Sequence, residues 1–421
     1  MLILKKIWPV FPVIAILFSI LLGPVAVIPV GGRTPKILWV DIVVFLVLGI
    51  WFLKGKLFCI RLAGIEKWAL LYIGIAFFGL VKTMDVLRSM AILQSRVLPV
   101  LVLIIVFNSL KTQQDIRVTV KALLVFVVVL AGILLLYGWF YRSGRMLLAI
   151  GLGAKSMAHT NWGQSNYLAS FFILLILPLF SLLFMKPHRY ILVKLASAGV
   201  VMIALIFTQS RGAILSFFLG IFLWMGLSAV SGQVLKMRFI VIWLLFFAVL
   251  STTAWFLLPK NVTETMMASS QQLIDQLVEN REAITRFQLL KEAWAAFIKS
   301  PVIGIGLGNQ SKVLTVAESV HNLYVETLLE TGLVGFTALV AYLVMCSWVF
   351  FRLWKNSPDK QSQIFSGSLM AAFLIALVNA AQEPSFWGAE YAYVLMILIA
   401  LVCAMRKIGI PDFTKRESLT D

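Results

Sequence analysis

The 421-residue chain is 61% hydrophobic and only 13% charged, with a mean hydropathy of +0.98. Soluble domains lie near about 45–50% apolar and about 25% charged, so an ordinary soluble domain is excluded. Spanning β-strands are excluded as well, because they alternate apolar and polar over about 10 residues, whereas the runs here are apolar on every face. The net charge of +18, from 36 Lys and Arg against 18 Asp and Glu, invites a nucleic-acid reading. Lys and Arg also collect in the cytoplasmic loops of membrane proteins, and that reading is preferred, with no nucleic acid as partner. The fold class expected is all-α: a polytopic integral membrane protein. Cys59, Cys346 and Cys403 have no paired spacing, so neither a disulfide framework nor a zinc site is legible.

In chain order, Lys5 and Lys6 precede an apolar run that continues to Val30 without a small-residue cleavage pattern, and it reads as a retained first helix. Twelve spans are expected, near 7–30, 37–53, 66–82, 91–109, 118–139, 166–185, 190–208, 212–230, 238–258, 321–350, 363–381 and 388–405. An even count puts both termini on one side. Placing them in the cytoplasm sets Lys54, Lys56, Arg61, Lys111, Arg117, Lys186, Arg189, Lys236, Arg352, Lys355, Arg406 and Lys407 inside. The long segment 259–320 then lies outside, its six Lys and Arg matched by six Asp and Glu. The organisation expected is spans one to nine over 1–258, an outer loop with amphipathic helices over 259–320, spans ten to twelve over 321–405, and a cytoplasmic tail over 406–421, disordered from 409.

Within the outer loop, Ile284, Phe287, Leu290, Trp294, Phe297 and Ile298 recur at three and four, giving an amphipathic helix ended by Pro301. Glu282, Arg286, Lys291 and Glu292 occupy its other face, so it is expected to lie flat on the bilayer. A weaker helix is expected over 261–279. Gly304, Gly306 and Gly308 are spaced GxGxG with no strand before and no GK[ST] after, which fits neither phosphate loop. A flexible return to the next span is the better reading.

Arg211 sits in TQSRGAILSFF, where Thr208, Gln209, Ser210 and Arg211 crowd a tight outer turn. It could snorkel to headgroups or grip phosphate through paired hydrogen bonds. Arg286 is a solvated helix residue or a second phosphate ligand. Arg88, Arg96, Arg142 and Arg145 map near the outer side and suggest a basic rim at headgroup depth. Of the three histidines, His188 reads as a loop residue, His159 has no placed role, and His321 opens an outer-face span with Glu318 three residues before it. Neutral imidazole, with a reference pKa of about 6.5, suits a general base. The outer acids, among them Asp85, Glu326 and Glu390, form no DxD or HExxH cluster, so no metal and no cofactor is expected. Two of them could pair as a glycosidase acid and base.

QSRGAILSFF at a span start resembles the O-antigen ligase and polymerase superfamily. So does a later block: Arg286, Trp294, Pro301, Gly304-Ile305-Gly306, His321-Asn322-Leu323-Tyr324, then Glu330-Thr331-Gly332-Leu333-Val334-Gly335. SNYLAS with Pro178 resembles the family's asparagine-bearing span, and the likeness covers roughly 160–340. The resemblance implies a GT-C-like helical fold and a metal-independent inverting glycosyltransferase at the outer face of the bacterial inner membrane. Its donor would be an undecaprenyl-diphosphate-linked glycan, and its acceptor a glycan or lipid A-core hydroxyl. By position in the motif, His321 would activate the acceptor and Arg211 and Arg286 would hold the diphosphate, with Asn166, Asn322 and Tyr324 as supports. Pilin-glycosylating relatives carry a C-terminal extension, whereas this chain ends shortly after its last expected span. Ligase is preferred and a repeat-unit polymerase is the alternative. A transporter would place charges near the midplane in broken helices and repeated halves; Arg96 and Asp41 come nearest to that, and no repeat is visible.

Overall fold

A computed structural model describes residues 8–27, 36–142, 165–185, 190–208, 210–230, 281–315, 319–382 and 385–411. Among them the α-helices are α1 Phe11–Leu22, α2 Trp39–Leu53, α3 Glu66–Phe78, α4 Val86–Ser109, α5 Gln113–Arg142, α6 Ser165–Ser181 and α7 Ile191–Phe207. They continue with α8 Arg211–Val230, α9 Arg281–Lys299, the single turn α10 Gln310–Val313, α11 Leu323–Lys355, α12 Lys360–Asn379 and α13 Ala389–Ile408.

Helix starts follow from local capping. The Asp85 side chain accepts from the Arg88 N–H at the head of α4, and Asp359 accepts from Gln361 and Ser362 at the head of α12. The first helix is shorter than expected. Gly23 takes φ 74° and Pro24 cannot continue a helix, so the helix ends at Leu22. Pro24–Val27 (β1) instead pairs antiparallel with Lys36–Leu38 (β2), with a bulge between Pro24 and Ala26.

Six of the described helices are long and apolar enough to cross a membrane: Val86–Ser109, Gln113–Leu136, Gly212–Val230, Leu323–Lys355, Lys360–Asn379 and Glu390–Ile408. Four shorter apolar helices accompany them, Phe11–Leu22, Trp39–Leu53, Asn166–Ser181 and Ile191–Phe207. The protein is an all-α polytopic membrane protein by this architecture. The expected span 238–258, the weaker helix 261–279 and the tail from 412 lie outside the described residues.

The bundle is built around α13, whose residues are buried without interruption from Tyr391 to Met405. It packs on α4 and α11, while α12 lies between α6, α8 and α11. Gly220 of α8 lets that helix approach Ile375 and Leu177, where a Cβ would come within 3 Å of both. At one end of the bundle lie the starts of α4, α6, α8, α11 and α13 and the end of α12. At the other lie Lys54, Lys56, Arg61, Lys111, Lys355 and Lys407, which follow from the alternating direction of the helices.

Candidate active site

The first end gathers the residues singled out from sequence. α11 does not open on His321 but two residues later. His321 takes φ 54°, in the left-handed region that His enters more readily than most side chains. Its backbone N–H donates to Ser319 Oγ at 3.3 Å, and Ser319 Oγ donates to Glu326 Oε2 at 3.4 Å. Asn322 is the cap of α11: its Oδ1 accepts from the Tyr324 and Val325 N–H groups at 3.0 and 3.1 Å. The Leu323 N–H then donates to the Ala380 carbonyl at 2.9 Å, and the Tyr324 hydroxyl to the Leu377 carbonyl at 2.8 Å. Leu323 and Tyr324 thus fasten the start of α11 to the end of α12, Asn322 caps it, and His321 is half-buried just before.

Arg211 is the first residue of α8. Gly212 lies against Gln382, so closely that a Cβ there would collide with the Gln382 amide. The turn Ala380–Gln382 therefore seats both the start of α8 and the His321 segment. α6 reaches the same place. Asn379 Nδ2 donates to Ser170 Oγ at 2.9 Å, Ser170 Oγ donates to the Asn166 carbonyl at 3.1 Å, and the Tyr167 hydroxyl donates to Glu390 Oε2 at 3.0 Å. Asn166 is half-buried at this end.

Arg286 joins through α9. Leu289, Ala293 and Ala296 pack with Leu314, Val320 and Leu329 in a small core of their own, which places α9 beside the residue preceding His321. Arg286 lies one turn before Leu289 and is half-buried. Most of the expected apolar face stays free, because the side turned to the protein carries Leu289, Ala293 and Ala296 together with Phe297. Phe287 at 72% exposure, Trp294 at 57%, Leu290 and Ile298 point away from it. The helix has two apolar faces, one for the protein and one left for lipid, and Arg286 borders both.

The glycine segment is not a flexible return. Gly304, Gly306 and Gly308 all have positive φ, at 70°, 101° and 79°. α11 is broken at Gly332 (φ 65°, ψ −166°), and the segment lies in the break. The Leu333 and Val334 N–H groups donate to the Pro301 and Val302 carbonyls, while those of Ile305 and Gly306 donate to Leu329 and Glu330. The break exposes backbone groups that the loop satisfies, as buried polar groups require. Asn309 and Ser89 clamp the other side, with Asn309 Nδ2 on the Lys82 carbonyl at 2.9 Å and Ser89 Oγ on the Leu307 carbonyl at 2.6 Å.

Arg88 and Arg96 do not line an exposed rim. Both are buried; the Arg88 guanidinium donates to Ser311 Oγ. Arg96 Nη2 meets Glu330 Oε2 at 3.2 Å, and the guanidinium lies 5.4 Å from the centre of the Tyr72 ring. Glu330 Oε1 accepts from the Gly308 N–H at 2.9 Å and from Gln310 Nε2 at 3.3 Å. Gln310 Oε1 in turn accepts from the Val320 N–H at 3.4 Å, next to His321. Asp41 is also buried at this end, held by Tyr393, Gln94 and the Leu38 N–H. Arg142 ends α5, and Arg145, His159 and Glu318 lie outside the described residues. Among the described residues no three His, Cys, Asp or Glu side chains group as a metal set.

What sequence reasoning missed is the supporting frame. Ser319, Gln310 and the Ala380–Gln382 turn carry no motif, and Glu330 entered only as part of a pattern whose charge had no visible partner.

Residues 196–340 match the O-antigen ligase family model. The matched segment contains Arg211, Arg286, His321, Asn322 and Tyr324, and it ends beyond the Gly332 break of α11; Asn166 lies before it. A relative is the teichuronic acid biosynthesis protein TuaE of Bacillus subtilis (strain 168), 33% identical over 146 residues, covering 32% of this chain and 28% of that protein. The likeness therefore spans under a third of the relative's length.

Proposed function

We propose that the protein is an inverting glycosyltransferase that moves a glycan from undecaprenyl diphosphate to an acceptor hydroxyl at the outer face of a bacterial inner membrane, with both termini cytoplasmic. The observation that carries this reading is the Ala380–Gln382 turn. It seats the His321 segment and the first turn of α8 side by side, and α9, the helix that carries Arg286, packs through Leu289, Ala293 and Ala296 in one cluster with Val320, the residue before His321. The O-antigen ligase match over the same segment supports it.

In this reading the His321 imidazole accepts the proton of the acceptor hydroxyl as that oxygen bonds to the anomeric carbon. The bond from that carbon to the phosphate oxygen breaks on the opposite face, so configuration inverts. The departing electron pair stays on the diphosphate, where Arg211 and Arg286 meet the growing negative charge. No metal is required for the charge balance, since two guanidinium groups oppose it. Asn166, Asn322 and Tyr324 position rather than react.

Ligase activity toward a lipid A-core sugar is the first form of this reading. Repeat-unit polymerisation is the second, favoured by a relative named for teichuronic acid biosynthesis rather than for any lipid A acceptor. The purified chain incubated with undecaprenyl-diphosphate glycan and candidate acceptors tests both. Glycan on the new acceptor indicates the ligase, and a longer chain still on prenyl diphosphate indicates the polymerase. Turnover that survives chelation is expected. Glycan crossing liposomes with no new covalent product sinks the reading and favours a transporter.

A further inference from the structure

The end of the bundle away from His321 contains a cavity of about 630 Å³ that the reaction does not use. Its cations are Lys54, Lys56, Arg61, Lys111 and Lys407, and among the described residues no Asp or Glu lines it. Its walls are apolar: Phe11, Val47, Ile50, Trp51, Phe107 and Ile408. The cavity sits where α1 begins and α2, α4 and α13 end.

The backbone is fixed at two of these cations, and a third has its ammonium near an aromatic ring. The Arg61 backbone is held from both sides by Asn108, whose Oδ1 accepts from the Arg61 N–H at 2.8 Å and whose Nδ2 donates to the Arg61 carbonyl at 2.8 Å. The Lys111 N–H is fixed on Asp115 Oδ2 at 3.0 Å, and the Lys407 ammonium stands 5.7 Å from the Phe107 ring centre. Asp115 is buried, accepts from the Lys111 and Thr112 N–H groups and does not line the cavity, and its single charge offsets at most one of the five cations.

We propose that this cavity binds one anionic phospholipid, its phosphate among Lys54, Arg61 and Lys111 and its acyl chains along Trp51, Phe107 and Ile408. Basic pockets between helices at a charged membrane surface take such headgroups. The apolar walls select a lipid over a free anion, because an inorganic phosphate leaves them wet. The volume falls in the range of about 300–1,000 Å³ that small-molecule sites occupy.

Native mass spectrometry of the full chain in detergent tests this with phosphatidylglycerol, phosphatidylcholine and inorganic phosphate offered separately. One retained phosphatidylglycerol is expected, at least about ten-fold reduced in the triple variant Lys54→Gln/Arg61→Gln/Lys111→Gln and kept in Lys54→Arg/Lys111→Arg. Equal retention of phosphatidylcholine, an unchanged triple variant, or inorganic phosphate displacing the lipid would overturn it. A second measurement does not depend on those variants folding: brominated phosphatidylglycerol is expected to quench wild-type fluorescence more than that of Trp51→Phe, and equal quenching overturns the proposal.

Discussion

Arg96 and Glu330 form an ion pair with side chains 3% and 0% exposed, 3.2 Å apart, one turn from the place where α11 breaks. A charge pair this enclosed costs desolvation that its attraction only roughly offsets. Its use here is positional. Glu330 holds the Gly308 N–H and Gln310, and Gln310 holds Val320, so the pair is tied to the backbone beside His321 through two hydrogen bonds.

Removing one partner leaves the other charge buried. Glu330→Ala or Arg96→Ala is expected to lower stability by about 3–5 kcal/mol, read as the denaturation midpoint in detergent. Arg96→Met with Glu330→Leu together should cost less than either single change. Costs that simply add would mean that the two side chains do not act as a pair.

The break itself depends on two glycines. A Cβ on Gly304 would run into the Glu330 carbonyl, and one on Gly332 into the Val302 carbonyl; both residues also have positive φ. Gly332→Ala is expected to lose at least about 1–3 kcal/mol from backbone strain alone, with the collision added, and to reduce transfer in parallel. Gly74→Ala, where nothing lies within 4 Å, is the matched control and should be neutral within about 0.5 kcal/mol.

These two features also mark what could be read in advance. The apolar runs that make α4, α11, α12 and α13 are local properties and were legible. His321 and Arg211 stood out as candidates, because unusual polar residues at span ends are conspicuous in a chain this apolar. The partner of Arg96 lies 234 residues away, and no local pattern points to it. A helix broken at Gly332 and mended by a distant loop is invisible for the same reason, since a lone glycine inside an apolar run costs little in a packed bundle. On α9, periodicity found the helix and the outward face with Phe287 and Trp294, but not the second face, where Leu289 and the small Ala293 and Ala296 pack on the protein.

If His321 takes the acceptor proton, His321→Ala should reduce the transfer rate by about 10²–10⁴-fold with little change in donor binding. Full turnover by that variant would remove the assigned role. Arg211 and Arg286, as the proposed diphosphate ligands, should behave differently. Arg211→Lys and Arg286→Lys keep the charge but lose the paired donors, so each should weaken transfer more than a surface Lys-for-Arg change such as Arg406→Lys. Rates measured at saturating and limiting donor separate the two cases.

Glu292 on α9 provides a pH-dependent clasp outside the spans. Its carboxylate accepts from the Thr315 hydroxyl at 2.6 Å and the Thr315 N–H at 2.9 Å, and from Gln288 Nε2 at 3.0 Å. The Thr315 bonds first, then Gln288, hold its pKa below the ordinary carboxylate value. A carboxyl whose folded pKa is depressed contributes stability that is present above the unfolded value, about 4.3, and is lost as pH falls through the folded value. Acidification through the depressed folded value should therefore release Thr315 from α9, seen as faster amide exchange at Thr315 while Leu289 and Ala293 stay protected. Glu292→Gln should show fast exchange at Thr315 at every pH. A wild-type exchange rate that does not change beyond the intrinsic pH dependence would mean that the clasp holds nothing in place.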